Sequence, residues 1–293
     1  MKSLLSINPK QEVKKITKFL ERTFKEQKIT KVVLGLSGGI DSTVALYLLK
    51  EVLPLKSIFA VQMDYKPRKI NIDLKEINII NFSIKEIVDK LHKSIGSIPK
   101  FFIGRQQTEK NLISSPFGKD ETNVFFSLSR GAHPTEGREG RDSFALDKIR
   151  LGNIMARIRM IILFDLAKQL NAMVCGTENK SEKLLGYFTR FGDAASDLEP
   201  LSHLYKTQVF QLAKYLKVPK FITDQSPTAG LWDGQTDEND FGFTYKEADQ
   251  ILHFYCDKKM KMEEIKRLKF KNAEKIIKRY NANKFKQKTP YSL

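Results

Sequence analysis

Apolar residues in this chain alternate between two periods. Over residues 9–27 (PKQEVKKITKFLERTFKEQ), Val13, Ile16, Phe19, Leu20 and Phe24 recur at helical spacing with charge between them. The run Thr30–Leu36 (TKVVLGL) is short, apolar and β-branched and ends in Ser-Gly-Gly, which predicts a strand entering a glycine loop. Asp41–Val52 (DSTVALYLLKEV) then predicts a helix, so strand, glycine loop and helix open a βαβ unit. Further strands are predicted over Lys56–Met63, Glu76–Phe82 and Ala172–Cys175, with helices over Ser83–Leu91 and Asp147–Leu170. Such alternation predicts an α/β fold whose mostly parallel sheet is flanked by helices on both faces. A ligand is then expected at the carboxyl ends of the strands, where the loops after Leu36 and Cys175 emerge.

Two stretches break the pattern. Residues 103–146, with SRGAHPTEGREGRDS near their end, have little periodicity and read as an insert in a single domain spanning 1–293. Residues 177–205 are turn-rich but densely polar just after a buried strand, which favours a functional loop. From about Lys258 the chain reads as a charged helical tail, with periodicity in Met262–Phe270 and Ala273–Tyr280.

An apolar fraction of 41% and an aromatic fraction of 10% provide for an ordinary core. No apolar run approaches the ~20 residues that cross a bilayer, and the N-terminus has no secretory pattern, so the expected location is the cytoplasm, with no membrane partner. Cys175 and Cys256 are the only cysteines and are expected to pack; His92, His133, His203 and His253 lack metal-ligand spacing. A net charge of +17, from 51 Lys and Arg against 34 Asp and Glu, raises a nucleic-acid reading. The lysines are spread from end to end among Ile, Asn and Phe, so a generally basic surface without a nucleic-acid partner is the favoured account.

The loop Ser37-Gly38-Gly39-Ile40-Asp41-Ser42 carries the first specific chemistry. Gly38 and Gly39 let the backbone turn its N–H groups onto a phosphate, and the following helix aims its N-terminus at the anion. Ser37 and Ser42 add hydroxyls, and Asp41 is placed to hold Mg²⁺ against the phosphates. No Lys follows the glycines as in the loop of γ-phosphoryl-transferring enzymes.

LGLSGGIDSTVALYLL resembles the pyrophosphate-binding loop of the ATP pyrophosphatases, whose fold is Rossmann-like. That resemblance alone leaves NAD synthetase, GMP synthetase, asparagine synthetase and the tRNA lysidine and thiolation enzymes open. GNIMARIRMIILFDLA (152–167), GTENKSE (176–182), GYFTRFGDAASDLEPL (186–201), LYKTQVFQLAKYL (204–216) and SPTAGLWDGQTDENDFGFTYKEAD (226–249) narrow it. Together they resemble the ammonia-dependent NAD synthetases over roughly 31–99 and 147–290.

The resemblance implies that the nicotinate carboxylate of deamido-NAD attacks the α-phosphorus of ATP and that ammonia then displaces AMP from the acyl-adenylate. It implies ATP contacts from Gly35, Leu36, Ser37, Gly38, Gly39, Ile40, Asp41, Ser42, Thr177, Lys206 and Thr228. Asp41 and Glu182 match the magnesium carboxylates, and Asp41 and Lys206 carry the catalytic roles. Deamido-NAD contacts fall on Arg157, Arg190, Asp197, Phe285 and Lys286; Arg190 stands where the family carries Lys, and Phe285 where it carries His. A homodimer is implied as well. With about 30 residues before the first strand, the chain is expected to lack an amidase domain and to use ammonia and not glutamine. Two competing readings are a tRNA-modifying member and a non-catalytic nucleotide-binding module. An RNA-recognition domain is not evident for the first; retention of Asp41, Glu182 and Lys206 argues against the second.

Overall fold

The computed structural model describes residues 4–66, 75–96, 139–232 and 234–291. At its centre are four strands, β1 (Val32–Gly35), β2 (Ile58–Asp64), β3 (Asn78–Ser83) and β4 (Met173–Cys175), in the order β3-β2-β1-β4. All three pairings are parallel, with Leu34 opposite Ala60 on one side and Cys175 on the other. The α/β class and the parallel sheet thus follow the sequence pattern.

The period-two alternation of β1 divides the core. Val32, Leu34 and Leu36 face helices α1 (Pro9–Gln27), α2 (Ile40–Lys50) and α6 (Lys206–Tyr215), packing with Ile16, Leu20, Val44, Leu48 and Val209. Val33 faces the other side, where α3 (Lys85–Gly96) and α4 (Glu139–Leu170) contribute Val88, Met155 and Ile158. Val33, Leu34 and Val61 are completely buried, as a sheet covered on both faces requires.

Some element boundaries differ from the sequence expectation. Strand β3 continues to Ser83, and α3 starts only at Lys85, because Ile84 turns its side chain into the core. Helix α4 starts at Glu139, before the expected Asp147, so the expected insert at 103–146 ends earlier; its residues up to 138 lie outside the described residues.

The expected charged tail is a packed lobe. Helices α5 (Lys180–Leu185), α7 (Lys220–Thr223), α8 (Asp237–Phe241), α9 (Tyr245–Leu252), α10 (Met262–Arg267) and α11 (Ala273–Asn283) complete the fold. Leu185, Phe241, Tyr245, Ile251, Ile265, Ile276 and Ile277 form a second core among α5 and α8 to α11. Gly186 closes α5 with φ +64, and a Cβ there would lie 2.3 Å from that of Asn283, so the end of α11 rests directly on this turn.

Candidate active site

Because β1 and β4 are parallel neighbours, the loops that leave their carboxyl ends emerge side by side. The first is the phosphate loop. Gly38 has φ +78, the left-handed region that favours glycine, whereas Gly39 is extended and serves as N-cap of α2. Ser37 Oγ accepts from Gly39 N at 3.2 Å and lies 3.0 Å from Ser42 Oγ, which also meets Gly39 O at 3.1 Å. The loop's hydroxyls therefore brace one another over the N-terminus of α2, whose dipole favours an anion.

The second loop, Gly176–Asn179, supplies the partner wall. Asn179 caps α5: its Oδ1 accepts from Glu182 N at 3.0 Å, and Glu182 returns the reciprocal bond of a capping box. The Asn179 amide also donates to Asp41 Oδ1 at 3.0 Å. One buried residue thus contacts both expected metal carboxylates, Asp41 through its side-chain amide and Glu182 through its backbone N–H.

Lys206, at the start of α6, completes the group. Its ammonium lies 2.5 Å from Asp41 Oδ2 and 3.0 Å from Glu182 Oε1, with only 3% of its side chain exposed. Burial lowers its proton affinity, but the carboxylates of Asp41 and Glu182 outweigh that and leave it firmly protonated. Burial raises the Glu182 carboxyl against the opposing pull of Lys206, with Asp41 adding to the rise.

The start of α6 is itself anchored. Lys206 N donates to Ser181 Oγ at 2.8 Å, Ser181 donates to Asp249 Oδ1 at 2.5 Å, and Thr207 N donates to Asp249 Oδ2 at 2.8 Å. Burial pushes the Asp249 carboxyl up to about 6 despite these donors. The Lys206 ammonium also lies 5.3 Å from the centre of the Tyr245 ring, whose hydroxyl donates to Asp237 Oδ2 at 2.9 Å. Asp237 Oδ1 is buried without a hydrogen-bond partner among the described residues.

Arg157, Arg190, Phe285 and Lys286, the residues expected to contact the dinucleotide, form a separate group around the loop after α5, brought there from α4, the loop itself and the segment after α11. Arg157 donates to the carbonyl of Arg190 at 3.3 Å, and the Arg190 guanidinium lies 5.2 Å from the centre of the Phe285 ring. Lys286 donates to the carbonyls of Gly186 and Phe188, and burial lowers its pKa to about 8. Asp197 is not part of this group: its Oδ2 accepts from Val174 N at 2.7 Å and fastens the 197–198 segment along the outer edge of β4. Thr177 is half-buried at the end of β4, and Thr228 is exposed, with its hydroxyl accepting from Gly230 N at 3.0 Å.

Sequence reasoning singled out Asp41, Glu182 and Lys206 but missed Asn179, Ser181, Tyr245, Asp237 and Asp249, which position them. All five lie inside the segments 176–182 and 226–249, whose polar density was the available signal.

An anion-binding helix start, two carboxylates and a buried lysine are what an enzyme acting on a metal-bound nucleotide requires. Comparison with known proteins specifies which kind. The sequence profile of the NAD synthase family matches residues 12–114 and 132–290. The chain is 34% identical to the NH3-dependent NAD+ synthetase of Fusobacterium nucleatum, across 98% of this chain and 96% of that protein. Its fold is similar to that of the NMN synthetase from Francisella tularensis, with a TM-score of 0.71 at 30% identity over 98% and 99% of the two chains. It is also similar to the NH3-dependent NAD synthetase from Campylobacter jejuni, solved with nitrate: the TM-score is 0.67 at 26% identity, over 98% and 100% of the chains. With the phosphate loop, the paired carboxylates and these matches over nearly its whole length, the chain belongs to the NAD synthase family.

Proposed function

We propose that this protein amidates deamido-NAD to NAD with ammonia, consuming ATP and releasing AMP and pyrophosphate. The observation that carries the reading is the convergence of Asp41, Glu182 and Lys206 beside the phosphate loop, with Arg157 and Lys286 reaching from α4 and from the segment after α11 to the loop after α5 that carries Arg190.

The loop Gly35–Ser42 and the start of α2 would grip the outer phosphates, with Thr177, Lys206 and Thr228 as further ATP contacts. Asp41 and Glu182 reach a common point, shown by their contacts with one ammonium, and their hard oxygens suit Mg²⁺. That ion, when bound, neutralises charge on the phosphates. Arg157 and Arg190 would orient the second nucleotide, Phe285 would hold Arg190 in place, and Lys286 would hold the loop. Asp197 would add a contact to the dinucleotide through the oxygen that the Val174 N–H does not engage.

A nicotinate carboxylate oxygen attacks the α-phosphorus, and pyrophosphate departs with the bonding electrons. Ammonia then attacks the acyl carbon and loses a proton, and AMP leaves. Lys206 would stabilise the charge that develops on the phosphates, and most of the acceleration comes from positioning and electrostatics.

A cytoplasmic location is part of this proposal; none of the described helices is long and apolar enough to cross a membrane. It is read as a homodimer, because Ile149 and Ile161 on α4 and Ile87 and Leu91 on the adjacent α3 leave apolar side chains exposed. Incubation with ATP, Mg²⁺, deamido-NAD and ammonium tests the function: AMP and pyrophosphate should form in equal amounts with NAD. The Francisella tularensis relative favours a second reading, with nicotinate mononucleotide as the acceptor. Competition between the two acceptors in one reaction decides between them.

A further inference from the structure

We infer that Lys206 is an internal counter-cation that fills the seat between Asp41 and Glu182 and makes entry of a divalent cation conditional on the polyphosphate that draws the ammonium away. The inference rests on the reading of these two carboxylates as the metal ligands.

The seat is closely occupied. The ammonium is within 2.5 and 3.0 Å of the two carboxylates, while 15% and 17% of the Asp41 and Glu182 side chains remain exposed. The second oxygens of both are engaged as well, by the Asn179 amide and by the Asn179 backbone N–H. A divalent ion entering with the ammonium in place would sit against a like charge in a poorly solvated pocket. The two carboxylates would meanwhile lose no partner by remaining as they are.

The ammonium is nevertheless the part of Lys206 that can move. Its backbone is fixed through Ser181 and, one residue on, through Asp249, but its head is joined to that anchor by a flexible four-carbon stem. An anion at the start of α2 would lie beside Asp41, in the first turn of that helix, and would offer the ammonium new acceptors. Asp237, held by the hydroxyl of the Tyr245 ring that lies beneath the ammonium, offers a buried Oδ1 that has no hydrogen-bond partner among the described residues. The lysine thus keeps the metal ligands assembled before nucleotide arrives and passes to the phosphates when it does.

Mn²⁺ binding, measured from the free-ion electron paramagnetic resonance signal, tests this without turnover. Four samples are compared: nucleotide-free wild type, nucleotide-free Lys206→Met, nucleotide-free Asp41→Asn/Lys206→Met, and wild type with α,β-methylene-ATP. A neighbouring charge changes a carboxylate's proton affinity by about 1–3 pKa units, so Lys206→Met should bind Mn²⁺ at least ~10-fold more tightly than nucleotide-free wild type. The added Asp41→Asn change should abolish that gain. Equal affinity in nucleotide-free wild type and Lys206→Met overturns the inference. If Lys206→Met does not fold, Lys206→Gln carries the same comparison. Nucleotide-free wild type that binds Mn²⁺ as tightly as its α,β-methylene-ATP complex also overturns it, with no variant needed. Failure of that complex to bind Mn²⁺ is a different result: it removes Asp41 and Glu182 as metal ligands, and the functional reading falls with the inference.

Discussion

Asn179 is the residue on which the paired carboxylates depend, and its removal has a calculable cost. Asn179→Ala deletes the N-cap of α5, a loss of about 1 kcal/mol. It also deletes the bond from the amide to the Asp41 carboxylate, 3.0 Å long and charge-assisted, a loss of about 1.5–3 kcal/mol. The sum, about 2.5–4 kcal/mol, corresponds to a melting temperature lowered by roughly 5–10 °C in a chain of this size. Turnover should fall about 10–100-fold, the usual penalty when a group that orients metal ligands is lost. Asn179→Ser separates the two contributions. Serine still caps the helix but is too short to reach Asp41, so it should recover about 1 kcal/mol of stability and little turnover. Differential scanning calorimetry and steady-state AMP release give both quantities. An Asn179→Ala protein that melts with the wild type, or an Asn179→Ser protein with full activity, would refute the assigned role.

Asp41→Asn should lower the melting temperature, because it removes the charge that the buried Lys206 ammonium and the Asn179 amide face, and should lower turnover by orders of magnitude, checked by calorimetry and by AMP release at saturating ATP. Arg157→Ala should raise KM for the nicotinate nucleotide and leave KM for ATP nearly unchanged; a change in the ATP dependence alone would move Arg157 out of that group. Asp249 gives a pH signature: its carboxyl rises from 3.8 to about 6 on folding, so the folded state binds the proton more tightly. Its contribution to stability is then present below about pH 4 and is lost as pH rises to about 6, a decline of about 3 kcal/mol. Stabilities from denaturant titrations of wild type and Asp249→Asn should diverge by about this amount between the two ends of that window; a constant difference would remove the shift.

The strand, loop and helix from Thr30 to Val52 could be read from the sequence because each leaves a local trace: a β-branched run, paired glycines, then a helical apolar period. The network that aims Asp41 and Lys206 leaves no such trace. Asn179 meets Asp41 across 138 residues, and Ser181 meets Asp249 across 68, and pairings at that range have no period to detect. Asp197 shows the opposite limit. The motif match points to a ligand contact but gives no sign that its position beside the edge strand also makes one carboxylate oxygen the acceptor of the Val174 N–H. The packed C-terminal lobe was obscured by its charge, since exposed lysines surround the buried Ile265, Ile276 and Ile277.

The central claim is that a nicotinate carboxylate is adenylylated and then captured by ammonia, and an isotope experiment tests it most directly. Deamido-NAD carrying heavy oxygen in both positions of the nicotinate carboxylate is converted with ATP, Mg²⁺ and ammonium, and the products are analysed by mass spectrometry. If the carboxylate attacks the α-phosphorus, one heavy oxygen remains in the amide of NAD and one leaves in AMP, with none in pyrophosphate. Heavy oxygen in inorganic phosphate, with ADP as the other product, would instead mean attack on the γ-phosphorus and would contradict the account.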